Sequence, residues 1–201
     1  MVKSVHADQN ILLKELIQLH CPKGISCDPT YGYGGFYKEI DPPACCSDLD
    51  PKIEGIPKED ATDLPHPASS FDAIMLDPPF LVGSSSQSSI MGNKYGSFPS
   101  TDSFMQFASL AAREAYRTLR RYGKLIFKCQ DYVHGKRNVF AHCMIKEVVE
   151  NEGFRACDLF VLVASNRMHQ GKDWDRQHHA RKFHSYFWVF RRLGPNERRL
   201  P

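Results

Sequence analysis

The apolar run at residues 71–76 ends on Asp77-Pro78-Pro79-Phe80, and this junction constrains the fold more than any other feature of the chain. A central strand cannot accept proline without losing ladder hydrogen bonds, so a strand over 71–76 must stop at Asp77. The carboxylate, the proline carbonyls and the Phe80 ring then project from its carboxyl end, the edge at which open α/β sheets bind ligands. An acceptor carboxylate, a fixed carbonyl and an aromatic face together suit a planar ring bearing an exocyclic amine. The same four residues also describe a plain strand-to-loop turn, so the pattern needs support from elsewhere in the chain.

The periodicity around that junction alternates between strands and helices. Residues 10–20 carry Leu12, Leu13, Leu16, Ile17 and Leu19, the spacing of an amphipathic helix. A short strand over 24–27 runs through Asp28 into a Gly-rich stretch ending at Tyr37, and a weaker one over 44–47 ends at Asp48. Residues 59–65 read as a very short strand or a loop. Residues 82–100 are rich in Ser and Gly without periodicity, a length of loop that is usually functional. A helix capped by Thr101, Asp102 or Ser103 is expected to run to Gly123, followed by a strand over 124–129 and a helix over 139–152 that Gly153 stops. Two β-rich segments, 157–164 and 183–190, enclose a polar, basic loop.

This order implies a mostly parallel sheet with helices on both faces. The last two strands are too close in sequence for a helical crossover, so the final strand is expected to be antiparallel. The first three are joined by segments too short for full helices, which leaves that half of the sheet thinly covered. Without repeats or an evident boundary, residues 1–201 read as a single domain, with the helix at 10–20 and a basic tail at 191–201.

Composition excludes several classes. A chain of 201 residues, 42% hydrophobic and 24% charged, has the make-up of a soluble globular protein. It lacks an apolar run of the ~18 residues that a membrane span needs. Residues 1–9 carry no signal-peptide pattern, and the seven cysteines show no CxxC spacing, so reduced thiols in the cytoplasm are expected, with the nucleus as the alternative. The adjacent pair His178-His179 cannot readily share one ion, and no metal site is expected. Charge is unevenly spread: residues 38–77 hold three basic and ten acidic residues, residues 113–137 eight and two, and residues 167–201 nine and three. An acidic segment followed by two basic ones suggests a phosphate-facing surface beside a pocket that avoids phosphates, although solvated helix faces produce the same counts.

The spacing Gly32-x-Gly34 lacks the third glycine of a dinucleotide fingerprint, since Tyr37 stands there, and no Gly-Lys-Ser/Thr ending makes a phosphate loop. A turn that lets backbone approach a ligand without phosphates remains. Asp48, ending the second strand, is suited to both hydroxyls of a ribose, and Asp60 to an adenine amine.

Taken together, Asp28-Pro29-Thr30-Tyr31-Gly32-Tyr33-Gly34-Gly35 and Asp77-Pro78-Pro79-Phe80 resemble the two motifs of the S-adenosylmethionine-dependent amino-methyltransferases, especially the N6-adenine/N4-cytosine type. The likeness covers roughly residues 25–190. It implies a Rossmann-like class I methyltransferase fold, a seven-stranded sheet with an antiparallel last strand and reduced helices in its first half. It implies S-adenosylmethionine as cofactor, its methionine part held by Asp28, Gly32 and Gly34 with Pro29 and Thr30 of the same motif, its ribose by Asp48 and its adenine by Asp60. Asp77, Pro78, Pro79 and Phe80 would be the catalytic set, acting on the exocyclic amine of a nucleobase, adenine N6 in DNA or RNA first. Arg176, His179, Arg181 and Lys182 of the basic loop are the expected backbone contacts. Many relatives carry a separate target-recognition domain; this chain has no room for one, so a partner protein that supplies specificity is expected. Similar motifs occur in guanine-N2 and protein lysine or glutamine methyltransferases, and a methyltransferase-like binding module without turnover is the remaining alternative.

Overall fold

The computed structural model describes residues 1–83, 96–164, 178–195 and 197. Its first half comprises β1 (Val5–His6), α1 (Gln9–His20), β2 (Cys27–Asp28), β3 (Cys45–Cys46) and β4 (Phe71–Leu76). Its second half comprises α2 (Thr101–Thr118), β5 (Leu119–Cys129), a hairpin of β6 (Tyr132–His134) and β7 (Arg137–Val139), α3 (Ala141–Asn151), β8 (Phe154–Val163) and β9 (His184–Arg192).

Seven strands form one sheet in the order β1-β8-β9-β5-β4-β2-β3. Neighbours are parallel throughout, except that β9 runs antiparallel to both β5 and β8. Side chains alternate along β4, so Ala73 and Met75 face one layer while Ile74 and Leu76 face the other. On the first face α1 buries Leu12, Leu13 and Leu16 with Met75, Ile126, Phe160 and Phe187. On the second, α2 and α3 bury Phe104, Ala111, Ile145 and Val149 with Ile74, Leu76 and Phe127. Burial on both faces is why β4 reads as an almost unbroken apolar run. Asp8 caps α1 by accepting from the Asn10 and Ile11 amides, and Ser100 with Ser103 makes a reciprocal capping box on α2.

The thin first half is as the connection lengths imply: residues 29–44 and 47–70 are loop and turn. The stretch 59–65 holds no strand, only isolated bridges that pair Asp48 with Lys58 and Asp60 with Asp63. The seventh strand is instead β1, added parallel to β8 at the far edge by a segment of two residues, too short to signal itself.

Several elements differ from the sequence expectation, three of them for identifiable reasons. Helix α2 ends at Thr118, not Gly123, because pairing with β4 begins at Leu119. The register then jumps from Phe71–Leu119 to Ala73–Lys124, and residues 120–123 bulge, with Tyr122 at φ 66°. A Cβ on Gly123 would stand 2.9 Å from the Arg120 carbonyl oxygen, so this glycine serves a close backbone approach rather than a helix stop. The β6–β7 hairpin, unforeseen, turns on Gly135 and Lys136, both at positive φ (56° and 61°) as a tight hairpin turn demands. Arg191 and Arg192 belong to β9 rather than to a tail, and Arg191 pairs with Glu197 at 2.7 Å. Among the described residues no helix is long and apolar enough to cross a membrane.

Candidate active site

The chain leaves β4 at Asp77, and the Asp77 amide donates to Thr30 Oγ1 at 2.8 Å. That bond ties the end of β4 to the Gly-rich turn after β2, so the two motifs singled out in the sequence meet at one edge of the sheet. Asp77 Oδ2 accepts from Lys128 Nζ at 3.1 Å, while Oδ1 is buried without a hydrogen-bond partner among the described residues. A buried acceptor left open is uncommon in a settled fold and calls for a donor. Burial pushes the Asp77 carboxyl up, and the Lys128 ammonium pulls it back down.

Lys128 was not foreseen. It comes from β5, where Ile126 and Lys128 share the face that packs against α1. Its ammonium lies 4.7 Å from the Phe36 ring centroid, 5.2 Å from Phe80 and 5.6 Å from Phe187, within reach of all three quadrupoles. A lysine at an inward position of a buried strand was the available sequence signal. Phe80 thus stands beside Asp77 as its motif implies, and it is half-buried.

Asp28 is buried at the end of β2, with Oδ1 accepting from the Thr30 amide (2.9 Å) and hydroxyl (3.0 Å) and Oδ2 from the Tyr37 hydroxyl (2.7 Å). Burial pushes its carboxyl up to about 7, against those hydrogen bonds, which pull it down. A carboxylate has about four lone-pair sites, so one direction remains for a further donor. The turn that follows runs through Gly32 (φ 55°) and Gly34 (φ 66°), and a Cβ on Gly34 would meet the Tyr31 side chain at 3.0 Å. Tyr31 stacks on Tyr37 at 5.3 Å, which fixes the turn from inside.

Asp48 is half-buried; its Oδ2 accepts from the Gly32 amide at 2.8 Å and its Oδ1 from the Asp50 amide at 2.9 Å. It therefore braces the glycine turn directly. Asp60 is exposed, and its Oδ1 accepts from the Thr62 amide and hydroxyl in a local turn. Beside the glycine turn, Tyr31, Pro43, Cys46, Ile56, Pro57 and Glu59 line a cleft of about 580 Å³.

The basic segments distribute differently. Because β9 is antiparallel, its first residues lie at the carboxyl edge of β5, where His184 pairs with Val163 and Tyr186 with Cys129. Residues 178–183 thus enter at the same edge as Asp77. His179 bonds to the Lys136 carbonyl (2.8 Å) and to Asn138 (3.2 Å), which docks it on the β6–β7 hairpin. Arg181 is exposed with its guanidinium 5.9 Å from the Phe183 ring, and Lys182 is half-buried. Arg176, Trp174 and most of the Ser/Gly stretch lie outside the described residues. Within 113–137, Arg113, Arg117, Arg120 and Lys128 pair with Glu152, Glu114, Asp72 and Asp77, so half of that positive segment serves the fold's own acids.

No protein-family model matches the chain, and no curated protein matches it. Solved structures do. TrmN from Thermus thermophilus is 16% identical over 92% of this chain and 49% of its own, with a TM-score of 0.57. A chain from the complex containing the Haloferax volcanii Trm112 methyltransferase activator is 11% identical over 86% and 83%, at 0.50. TTHA0409, also from Thermus thermophilus and solved with S-adenosyl-L-methionine, is 16% identical over 69% and 53%, at 0.46. This chain spans about half the length of TrmN and of TTHA0409. The likeness shows the fold alone, a Rossmann-like, mostly parallel sheet in which antiparallel β9 is inserted between β5 and β8.

Proposed function

We propose that this chain is an S-adenosylmethionine-dependent N-methyltransferase acting on an exocyclic amine of a nucleobase, with adenine N6 in DNA or RNA as the leading acceptor. The observation that carries this reading is Asp77 Oδ1, buried at the end of β4 without a partner among the described residues, in a residue whose own amide is bonded to the Asp28–Gly34 turn. The cradle fits the cofactor: Asp28 keeps one acceptor direction for an ammonium, and Gly32 and Gly34 hold the turn at positive φ, where a Cβ on Gly34 would press on Tyr31. Pro29 and Thr30 shape that turn, Asp48 is the ribose acceptor and Asp60 the adenine acceptor in this reading. When bound, S-adenosylmethionine supplies an electrophilic methyl group on a sulfonium.

The residues of this chain do the rest. An amine conjugated to an aromatic ring is a poor nucleophile because its lone pair is delocalised. Asp77 Oδ1 and the Pro78 carbonyl accept the two amine protons, which favours a pyramidal nitrogen with its lone pair directed outward. Positive charge grows on that nitrogen, and the Asp77 carboxylate stabilises it. Lys128 occupies Oδ2, counters the burial that raises the Asp77 carboxyl and orients the other oxygen; Pro79 and Phe80 shape the pocket, with Phe80 stacking on the base for ~1–3 kcal/mol. A target inside a duplex has to be flipped out at a cost of a few kcal/mol, so unpaired bases are the easier substrates.

The Lys128 ammonium also bears on the acceptor. A substrate lysine would bring a second cation beside it, whereas a neutral aromatic amine meets no such repulsion. The hairpin cations Lys136 and Arg137, with His179, Arg181, Lys182 and Arg176, are the backbone contacts in this reading. A specificity partner is part of the proposal, in keeping with the neighbour solved alongside an activator protein.

The test is tritium transfer from labelled S-adenosylmethionine to DNA, RNA and protein pools, with Asp77→Ala as control. Label in N6-methyladenine that disappears in the variant is the expected result. Label only in protein would move the function to lysine or glutamine methylation, label in N2-methylguanine would change the base, and cofactor binding without transfer to any pool would leave a binding module.

A further inference from the structure

Away from Asp77, a second group of chemically able side chains meets at the other side of the glycine turn. Cys45 Sγ lies 3.3 Å from His66 Nε2, which lies 3.2 Å from Glu59 Oε2. All three ligand atoms fall within 4.8 Å of one another, and all three residues line the cleft described above. As hydrogen bonds these contacts compete: Nε2 carries at most one proton, which the Cys45 sulfur and the Glu59 carboxylate oxygen would have to share. Three donors converging on one point is the arrangement a cation satisfies. A tetrahedral zinc with S and N ligands at about 2.3 Å and about 2.0 Å separates those two atoms by about 3.5 Å, close to the 3.3 Å seen between Cys45 and His66.

The backbone holds all three ligands in place before any ion arrives. Cys45 sits in β3 in register with Cys27 of β2. The Glu59 amide donates to the Asp48 carbonyl at 3.0 Å. The His66 carbonyl accepts from Arg117 of α2 at 2.7 Å, and the His66 ring meets Phe71 edge-on at 5.1 Å. A site built on anchored backbone loses little entropy on binding.

We propose that Cys45, Glu59 and His66 form a three-ligand site for a divalent transition ion, zinc by preference, with the remaining coordination position open to the cleft. One thiolate, one imidazole and one carboxylate are a borderline-soft set that suits zinc, and three protein ligands with an open position is its non-structural geometry. Cys27 supports the site from behind: it is fully buried, and its thiol donates to Cys45 Sγ at 3.6 Å, an outer hydrogen bond that favours the thiolate. A bound ion would clip β3, the 59–66 segment and α2 together, where the sheet lacks covering helices. The spacing of the three residues matches neither CxxC nor HxxxH, which is why the sequence reading expected no metal.

Cobalt(II) is the spectroscopic probe. The metal-stripped full chain, kept reduced with a phosphine, is titrated with cobalt and then with zinc. One cobalt per chain with a thiolate-to-metal charge-transfer band, displaced by zinc, is expected, and Cys143→Ser leaves it unchanged. Cys45→Ser abolishes the band, while Cys27→Ala weakens binding by about 10–100-fold without removing it. Glu59→Gln, which preserves shape, tests the site if Cys45→Ser does not fold, and it too lowers affinity. Absence of a charge-transfer band in the parent protein, its persistence in Cys45→Ser, or undiminished affinity in Glu59→Gln would overturn the site.

Discussion

Lys128 Nζ stands 3.1 Å from Asp77 Oδ2, while Oδ1 of the same carboxylate is buried without a partner among the described residues. One oxygen is bound within the protein; the other is a buried acceptor, and in the proposed mechanism it receives the substrate donor. The two residues come from adjacent parallel strands, β4 and β5, paired Leu76 to Phe127 just before them. Burial raises the Asp77 pKa and Lys128 lowers it, so the pair fixes the pH at which the carboxylate becomes usable.

Lys128→Met is therefore expected to shift the pH profile rather than lower activity uniformly. In the proposed mechanism transfer requires ionised Asp77, so kcat is expected to rise with pH through its pKa. Without the ammonium, burial acts unopposed and that pKa climbs further, moving the acidic limb of the profile to higher pH. Activity at neutral pH falls and recovers in alkaline buffer, with cofactor affinity unchanged. A parallel drop at every pH would assign Lys128 a structural role only.

At Asp77 itself, charge and geometry separate with two variants. Asp77→Asn keeps an acceptor oxygen but loses the charge that stabilises the developing cation, and a kcat loss of about 10²–10³ is expected. Asp77→Ala removes both and should fall to background. Calorimetric titration with S-adenosylmethionine should give the parent affinity in both variants, because the proposed mechanism sets Asp77 against the acceptor. Turnover in Asp77→Ala equal to the parent's would remove the mechanism.

How much of this was legible in the sequence follows from what each signal depends on. The long apolar run before Asp77 and the leucine spacing of residues 10–20 identified β4 and α1, since burial on a sheet face imposes those periods. The antiparallel place of β9 followed from the length of its connection. Lys128 stayed hidden because its partner lies on a neighbouring strand, and no local pattern encodes which side chains of β4 and β5 become neighbours. The Cys45, Glu59 and His66 cluster stayed hidden for the same reason, being assembled by β3, a bridge and the Arg117 anchor. Charge counting overstated the basic surface because it could not see Arg113, Arg117 and Arg120 turned to acids of the fold.

Gly34 offers a test of the cradle. At φ 66° it occupies a backbone region that costs an L-residue roughly 1–2 kcal/mol, and an added Cβ would press on the Tyr31 hydroxyl and ring at 3.0–3.2 Å. Gly34→Ala should lower the melting temperature and weaken S-adenosylmethionine binding. The neighbouring Gly35, with nothing within 4 Å of its added Cβ, is the control, and Gly35→Ala should behave as the parent does. Equal cofactor affinity in the two variants would detach the turn from the cofactor.

Asp28 predicts two pH dependences of opposite sign. Its carboxyl is pushed up to about 7 by burial, whereas in the unfolded chain it titrates near 3.8. The folded state thus binds this proton more tightly, and the group's contribution to stability is full below its unfolded value and is lost as pH rises through about 7. A cofactor ammonium prefers the ionised form, so affinity for S-adenosylmethionine should improve as pH rises towards 7, by about tenfold per unit, and level off above it. Asp28→Asn keeps a neutral hydrogen-bonding group of the same shape and should flatten both curves. Denaturant melts and cofactor titrations across that range read the two trends independently. A stability difference between parent and Asp28→Asn that does not change with pH would sink the ionisation argument, and unaltered pH dependence of binding would remove Asp28 from the cofactor site.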